Sequence, residues 1–423
     1  MSEVILNNTF LNKIFEIKRS NSKYYLILFF VWPFLAFLIA LNNYSDKAAK
    51  RVVYAFIIYY GLLFVNNNTG MDSYRYVLDL IRTAQQPFSD FFQIVGGLYS
   101  DTTVDIFEPF VTFIISRFTT SAGVFFAVWA AIMGYFYLRS IDLLYNRYHR
   151  NISWDALIFL IFFVFIYPVT AIYGIRMPTA TWVFFYAAYH VILYRDKRFI
   201  WLALSSILIH WSFITVNALL LIYYFAGNRN IIYLPAAIVS FIIPNLFAPF
   251  FQLVSSRLGG AIQNRFSGYT NENYVEAMRQ SYERTAWFIR IMNDSVFYFY
   301  ILAIVIIQIF YKDYIKSKYQ ENLFSFLLLM ISFVNFGRVI PTLSGRYQVV
   351  FFLFATLFVF LFFIKQGGRK INFITLLGLF PMLIYSAVQF RLGSSSINLW
   401  LFSPVFGLPL FLPEISIADI LFK

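Results

Sequence analysis

The sequence predicts an all-α, polytopic integral membrane protein with about twelve transmembrane helices plus a re-entrant half-helix. Two observations predict it. Of the 423 residues, 60% are hydrophobic, 22% aromatic and only 13% charged, far outside the range of soluble globular chains. The apolar residues also gather in runs long enough, or nearly so, to cross about 30 Å of hydrocarbon, with lysine and arginine in the connections between them. No polar block exceeds about forty residues, so the chain reads as one membrane domain, 1–423, with no appended soluble catalytic domain.

The first run, 24–41, follows Lys18, Arg19 and Lys23. No small-residue cleavage site comes after it and more spans do, so it is expected to be a retained helix and not a signal peptide. Further runs lie at 52–65, 121–140, 155–172, 178–194, 199–226, 231–253, 286–310, 322–340, 347–364 and 372–390. The connections 42–51, 139–154, 195–198, 311–321 and 365–370 are short and basic, which places all five in the cytoplasm. They share a side only if 199–226 crosses twice, as two short helices hinged near His210.

That topology leaves the long loops 66–120 and 254–285 on the outer face. Residues 66–108 agree, carrying six acids against Arg75 and Arg82. The N-terminal tail would also lie outside, its Lys13, Lys18, Arg19 and Lys23 suited to anionic headgroups. Within the first loop, 72–84 reads as a short helix. Residues 107–118 read as an apolar half-span opened by Glu108-Pro109, proline being favourable in a first helical turn. About twelve residues are too few to cross, so this segment is expected to dip in from outside and return. The tail from Arg391, with Pro404, Pro409 and Pro413, is expected to be interfacial or partly buried.

A formal charge of +13 could suggest a nucleic-acid partner. The basic residues come in small groups between apolar runs, as loop charges that orient spans do, and nucleic acid is not expected to bind. Without cysteine there is no thiolate chemistry. No Walker loop, Rossmann fingerprint, serine elbow or metal-ligand spacing is present, so neither a cofactor nor a metal is expected.

An ionisable side chain at membrane depth costs about 3 kcal/mol or more, which makes each one a candidate for function. Arg176 stands at the outer start of a span between Gly174 and Pro178. It reads either as an interfacial arginine reaching headgroups or as a guanidinium holding the anionic group of a membrane-embedded substrate. Arg338 and Arg346 flank the next outer turn, and three arginines in one lumen would be costly unless an anion joined them. His210, beside Trp211 and Ser212, reads as structural or as a proton acceptor or hydrogen-bond donor to a sugar or phosphate. Asp72 shares a helical face with Tyr76, and Glu108 either caps its half-helix or serves as a base. His149 is expected to be solvated and His190 structural. Asp79, Asp90, Asp101 and Asp105 are expected to be solvated loop charges.

With these residues in order, the chain resembles the EpsG-like, Wzy-type polysaccharide polymerases of bacterial membranes from about residue 50 to 365. The matching elements are Gly70-Met71-Asp72 with Tyr76, Glu108-Pro109, Tyr173-Gly174-Ile175-Arg176, Ile209-His210-Trp211-Ser212 and Arg346-Tyr347. Two departures are Asn66-Asn67-Asn68, where the family carries arginines, and Met177-Pro178 after Arg176. The resemblance implies a GT-C-like, metal-independent glycosyltransferase of the bacterial inner membrane with its site on the periplasmic face. Such an enzyme moves a growing O-antigen or related glycan from undecaprenyl diphosphate to the non-reducing end of another lipid-linked repeat unit. It implies His210, Asp72 and Glu108 as catalytic candidates and Arg176, Arg346, Arg338 and Tyr76 as binders of diphosphate and sugar. A chain-length regulator is implied as a partner. An O-antigen ligase and a flippase for lipid-linked sugars are the alternatives.

Overall fold

The computed structural model describes residues 22–67, 70–95, 105–148, 152–243, 276–277, 280, 283–284, 287–339, 341–367 and 371–422. Nearly all of the loop 254–285, the basic tail up to residue 21, His149 and the second half of the run 231–253 lie outside them. Among the described residues there is no strand, only an isolated antiparallel bridge between Asn398 and Ser416.

The run 24–41 is two helices, α1 (Ser22–Val31) and α2 (Pro33–Asn42), where one was expected. Pro33 offers no N–H and its ring blocks a continuous ladder, so Trp32 turns extended. Carbonyls released at this break are taken up by the C-terminal tail. Val405 N donates to Val31 O at 2.6 Å, Phe406 N to Phe30 O at 3.2 Å, and Trp32 Nε1 to Phe402 O at 3.0 Å. The proline thereby explains why the tail is partly buried: it completes the hydrogen bonding of the first span.

Helix α3 (Lys47–Leu62) opens on an Asp46 cap and packs along α6 (Ala122–Tyr148). Between them in the chain lie α4 (Asp72–Ala84) and α5 (Phe107–Ser116), helices as expected for 72–84 and 107–118. Glycine makes the α3–α6 contact possible. A Cβ on Gly61 would sit 2.6 Å from Phe126 O and 2.7 Å from Ala130 Cβ. Gly61→Ala must therefore push the two helices apart, and a destabilisation of about 1–3 kcal/mol is expected. A melt of the detergent-solubilised protein checks this, and an unchanged Tm would contradict the close packing.

Helix α7 (Trp154–Ile166) runs into a 3-10 turn, Val169–Gly174, before α8 (Arg176–Tyr194). The run 199–226 breaks where expected, giving α9 (Arg198–Ile209) and α10 (Phe213–Ala226) with His210–Ser212 at the apex. At about 18 and 21 Å, neither helix equals the hydrocarbon thickness. Then come α11 (Asn230–Ile242), α12 (Trp287–Phe310), α13 (Lys318–Phe336), α14 (Pro341–Gln366), which is mostly buried from Tyr347 to Phe363, and α15 (Phe373–Ser394). Five described helices are long and apolar enough to cross a membrane: Ala122–Tyr148, Trp154–Gly174, Trp287–Phe310, Gly345–Gln366 and Phe373–Ser394. Pro33–Asn42, Phe107–Ser116, Arg198–Ile209, Phe213–Ala226 and Asn230–Ile242 are apolar but shorter.

The five basic connections gather at one end of the molecule. Lys50 bonds Asp142 and Asn146, each at 2.6 Å, joining the first connection to the second. Arg147 donates to Tyr194, and Tyr194 packs edge-on against Tyr319, joining the second to the third and fourth. Asn372 N donates to Asp155 at 2.9 Å, bringing in the fifth. The base of the α9–α10 hairpin returns there too, through Asn228 Nδ2 to Asn322 Oδ1 at 2.9 Å and Arg195 Nη1 to Tyr224 O at 3.0 Å. Its apex accordingly reaches the opposite end, beside Arg176.

Candidate active site

At the end away from the basic connections, the segment between α3 and α6 packs beside the start of α8. Arg176 occupies the first position of α8, held there by the irregular turn at Ile175. Pro178 fits the same first turn, whose N–H groups have no helical acceptor in any case, so the Met-Pro departure leaves the helix intact. The guanidinium is three-quarters buried and donates in two directions: Nε to the Tyr76 hydroxyl at 2.9 Å and Nη1 to Asp105 Oδ2 at 2.5 Å.

Asp105 corrects the expectation of a solvated loop charge. It is buried, and its second oxygen, Oδ1, accepts the backbone N–H of Trp211 at 2.7 Å. One carboxylate therefore ties the segment before α5 to Arg176 and to the hairpin apex. Ile106 N to Leu208 O at 3.2 Å reinforces the tie. The sequence offers only a faint signal for it: an acid directly before the apolar Ile106-Phe107 pair.

His210 is buried at the apex. Its Nδ1 accepts the Ser212 backbone N–H at 3.3 Å and faces Ser212 Oγ at 3.1 Å. Tyr347 fixes the same apex from α14, donating to Ser212 O at 2.8 Å. Its neighbour Arg346 lies within electrostatic reach of Tyr167, as do Tyr76 and Tyr173.

Glu108, in the first turn of α5, accepts from Thr112 Oγ1 at 2.8 Å. Burial raises its pKa above the ordinary carboxyl value, against the opposing pull of the Thr112 bond and of Arg176. Asp72 stands at the exposed rim, 3.3 Å from Arg75, close enough for its charge to act on Tyr76 and Tyr173. Asn66 turns Oδ1 inward without a partner among the described residues.

Arg338 is committed elsewhere. It bonds Tyr298 at 2.6 Å and Asp294 at 3.0 Å on α12, and Gln348 Nε2 reaches the same Asp294 at 3.4 Å. The structure thus brings Arg176, Tyr76 and Asp105 together, with Glu108 close enough to act on Arg176, the His210 apex tied to them through Asp105 and the Trp211 N–H, and Asp72 and Arg346 at the margin. His190, at the basic end, stacks on Phe199 with ring centroids 4.0 Å apart and joins none of them.

Fold and site define a class: a polytopic helical membrane protein with a buried arginine–carboxylate centre opposite its basic connections. The chain belongs to the EpsG family, whose model matches residues 64–402, a stretch that holds every residue of this centre. No curated protein and no solved structure matches it. Family membership points to a polysaccharide-polymerase type of role in polysaccharide biosynthesis.

Proposed function

We propose that this protein is a surface-polysaccharide polymerase, acting on O-antigen or a related glycan and embedded in the bacterial inner membrane. It takes a growing chain from undecaprenyl diphosphate and joins it to the non-reducing end of a second lipid-linked repeat unit. In this reading the basic connections face the cytoplasm, about twelve segments enter the membrane in a GT-C-like arrangement, and the centre at Arg176 faces outward. A separate chain-length regulator is its partner.

One observation carries the reading. Arg176 is held rigidly by two bonds while a guanidinium has five N–H donors, so donors remain for a diphosphate oxygen. In the transfer, the bond from the donor sugar's C1 to the diphosphate oxygen breaks and C1 bonds to the acceptor hydroxyl oxygen. The hydroxyl proton passes to a base, and undecaprenyl diphosphate departs with its negative charge stabilised by Arg176 and Arg346. Glu108 suits the base because its pKa is raised toward the working pH. His210, at the hairpin apex, is the second candidate, as a proton acceptor or as a hydrogen-bond donor to a sugar or phosphate oxygen.

A base must be deprotonated to act, so polymerisation by purified protein is expected to fall as pH drops through the raised pKa of Glu108. Glu108→Gln should remove that acid limb along with most of the rate, by about 10²-fold or more. An acid limb surviving in the variant would assign the base elsewhere. The reading as a whole is tested by the glycan ladder of cells lacking the gene. Collapse to core plus one unit, restored by a plasmid copy, is expected. An unchanged ladder would overturn it, and complete loss of glycan from the core would point to a ligase or flippase.

A further inference from the structure

A cleft of about 580 Å³, within the range in which proteins hold small ligands, runs between α2, α3, α6 and α7. At the basic end it begins at Tyr44 and Tyr145, whose rings meet edge-on at 5.2 Å, with Lys50 Nζ 5.0 Å from the Tyr44 ring centroid. At the other end it reaches Val169 and Thr170, in the 3-10 turn that leads into Arg176. None of its lining residues is charged, and Thr170 is the only one neither aliphatic nor aromatic. Hydrocarbon suits such a lining, because Tyr60 and Tyr137 already engage their hydroxyls with Ser396 and with Val164 O.

Two features separate this cleft from an ordinary lipid-facing surface. Its walls are aromatic rings held against one another: Phe37 stacks on Phe56 with centroids 4.3 Å apart, and Phe34 meets Phe402 edge-on at 4.7 Å. The C-terminal tail also forms part of its wall, through Ile397, Leu401 and Phe402. That tail is pinned in place where Val65 N donates to Ser396 O at 3.1 Å and Tyr59 donates to Phe406 O at 2.8 Å. The cleft is thus preformed, and it continues toward the candidate active site. Thr170 is at most about 12 Å from Arg176 at the rise of a 3-10 turn. Tyr60, in the wall, lies within electrostatic reach of Tyr173, and Tyr173 within reach of Asp72. An amphiphile with its chain in the cleft brings its head out on the Arg176 side, where an anion is favoured.

We propose that this cleft holds the isoprenoid chain of the lipid-linked substrate, so that its diphosphate lies at Arg176. The identity of the occupant rests on the polymerase reading; the shape and chemistry of the cleft do not. The chain is remote from the reacting bond, and the binding energy gathered along it serves to hold the diphosphate at the guanidinium.

Lipid retention by the full-length protein in detergent, read by native mass spectrometry, tests this without any turnover. Undecaprenyl phosphate is expected to be retained at about tenfold lower concentration than phosphatidylglycerol. Ile161 and Leu41 line the cleft with about half of each residue exposed, so Ile161→Trp and Leu41→Trp fill it without entering the packed core. Each should weaken retention of undecaprenyl phosphate about tenfold, the effect of about two methylene groups left unburied. Leu383→Trp, exposed on α15 outside the cleft, should leave it unchanged. Equal retention of the two lipids would identify a groove for ordinary bilayer lipid and overturn the proposal, as would full retention in both cleft variants. The outcome is separable from that of the glycan ladder. An unchanged ladder in cells lacking the gene removes the polymerase reading while cleft-dependent retention stands, and a collapsed ladder with full retention in both variants removes the cleft alone.

Discussion

Cells carrying Arg176→Ala are expected to make core glycan bearing one repeat unit and no ladder. Electrostatic stabilisers of a leaving or developing anion are each worth about 10²–10³ in rate, and every addition of a repeat suffers that loss. Arg176→Lys should fail almost as badly. A single ammonium cannot reach the Tyr76 hydroxyl and Asp105 in one plane and still point donors at a diphosphate. Tyr76→Phe removes only one accepted bond, about 1 kcal/mol, so a shortened ladder is expected there, with additions slowed about fivefold. Protein levels in the membrane fraction separate loss of chemistry from loss of fold. A full ladder from Arg176→Ala at a normal protein level would remove this arginine from the site.

What the sequence made legible follows from which signals are additive along a chain. Charge in five short connections sums to one strong constraint, and that constraint demanded a hinge near His210, where α9 ends and the apex begins. Element starts also followed, because 72–84 and 107–118 are set off by Gly70 and Glu108-Pro109, although the second helix ends at Ser116 and not at 118. Side-chain partnerships are pairwise and long-range, and they were less readable. Nothing periodic marks Asp105 as an acid that is buried and paired with Arg176, 71 residues away. Arg338 was grouped with Arg176 on charge alone, whereas Asp294, 44 residues before it, claims it locally. The break at Trp32-Pro33 was visible as a proline, but its compensation by the tail lies some 370 residues off.

Asp105→Ala is expected to cost more stability than any surface change in this protein. It leaves Arg176 charged and buried without its carboxylate, a loss of about 3–5 kcal/mol, and it strips the acceptor from Trp211 N–H. Asp105→Asn keeps an oxygen for Trp211 while losing the charge, so it should fall between wild type and Ala in a thermal melt. The informative variant is the double one. If the cost arises from an uncompensated guanidinium, Asp105→Ala/Arg176→Ala should regain part of the lost Tm, because no buried charge remains to be desolvated. Polymer should stay absent, since the group that meets the diphosphate has gone. Recovery of fold without recovery of function would separate the carboxylate's two duties, holding the loop on the hairpin apex and holding the guanidinium for substrate. If the double variant is instead as unstable as the two single losses added together, the pair is not coupled, and Asp105 acts through Trp211 alone.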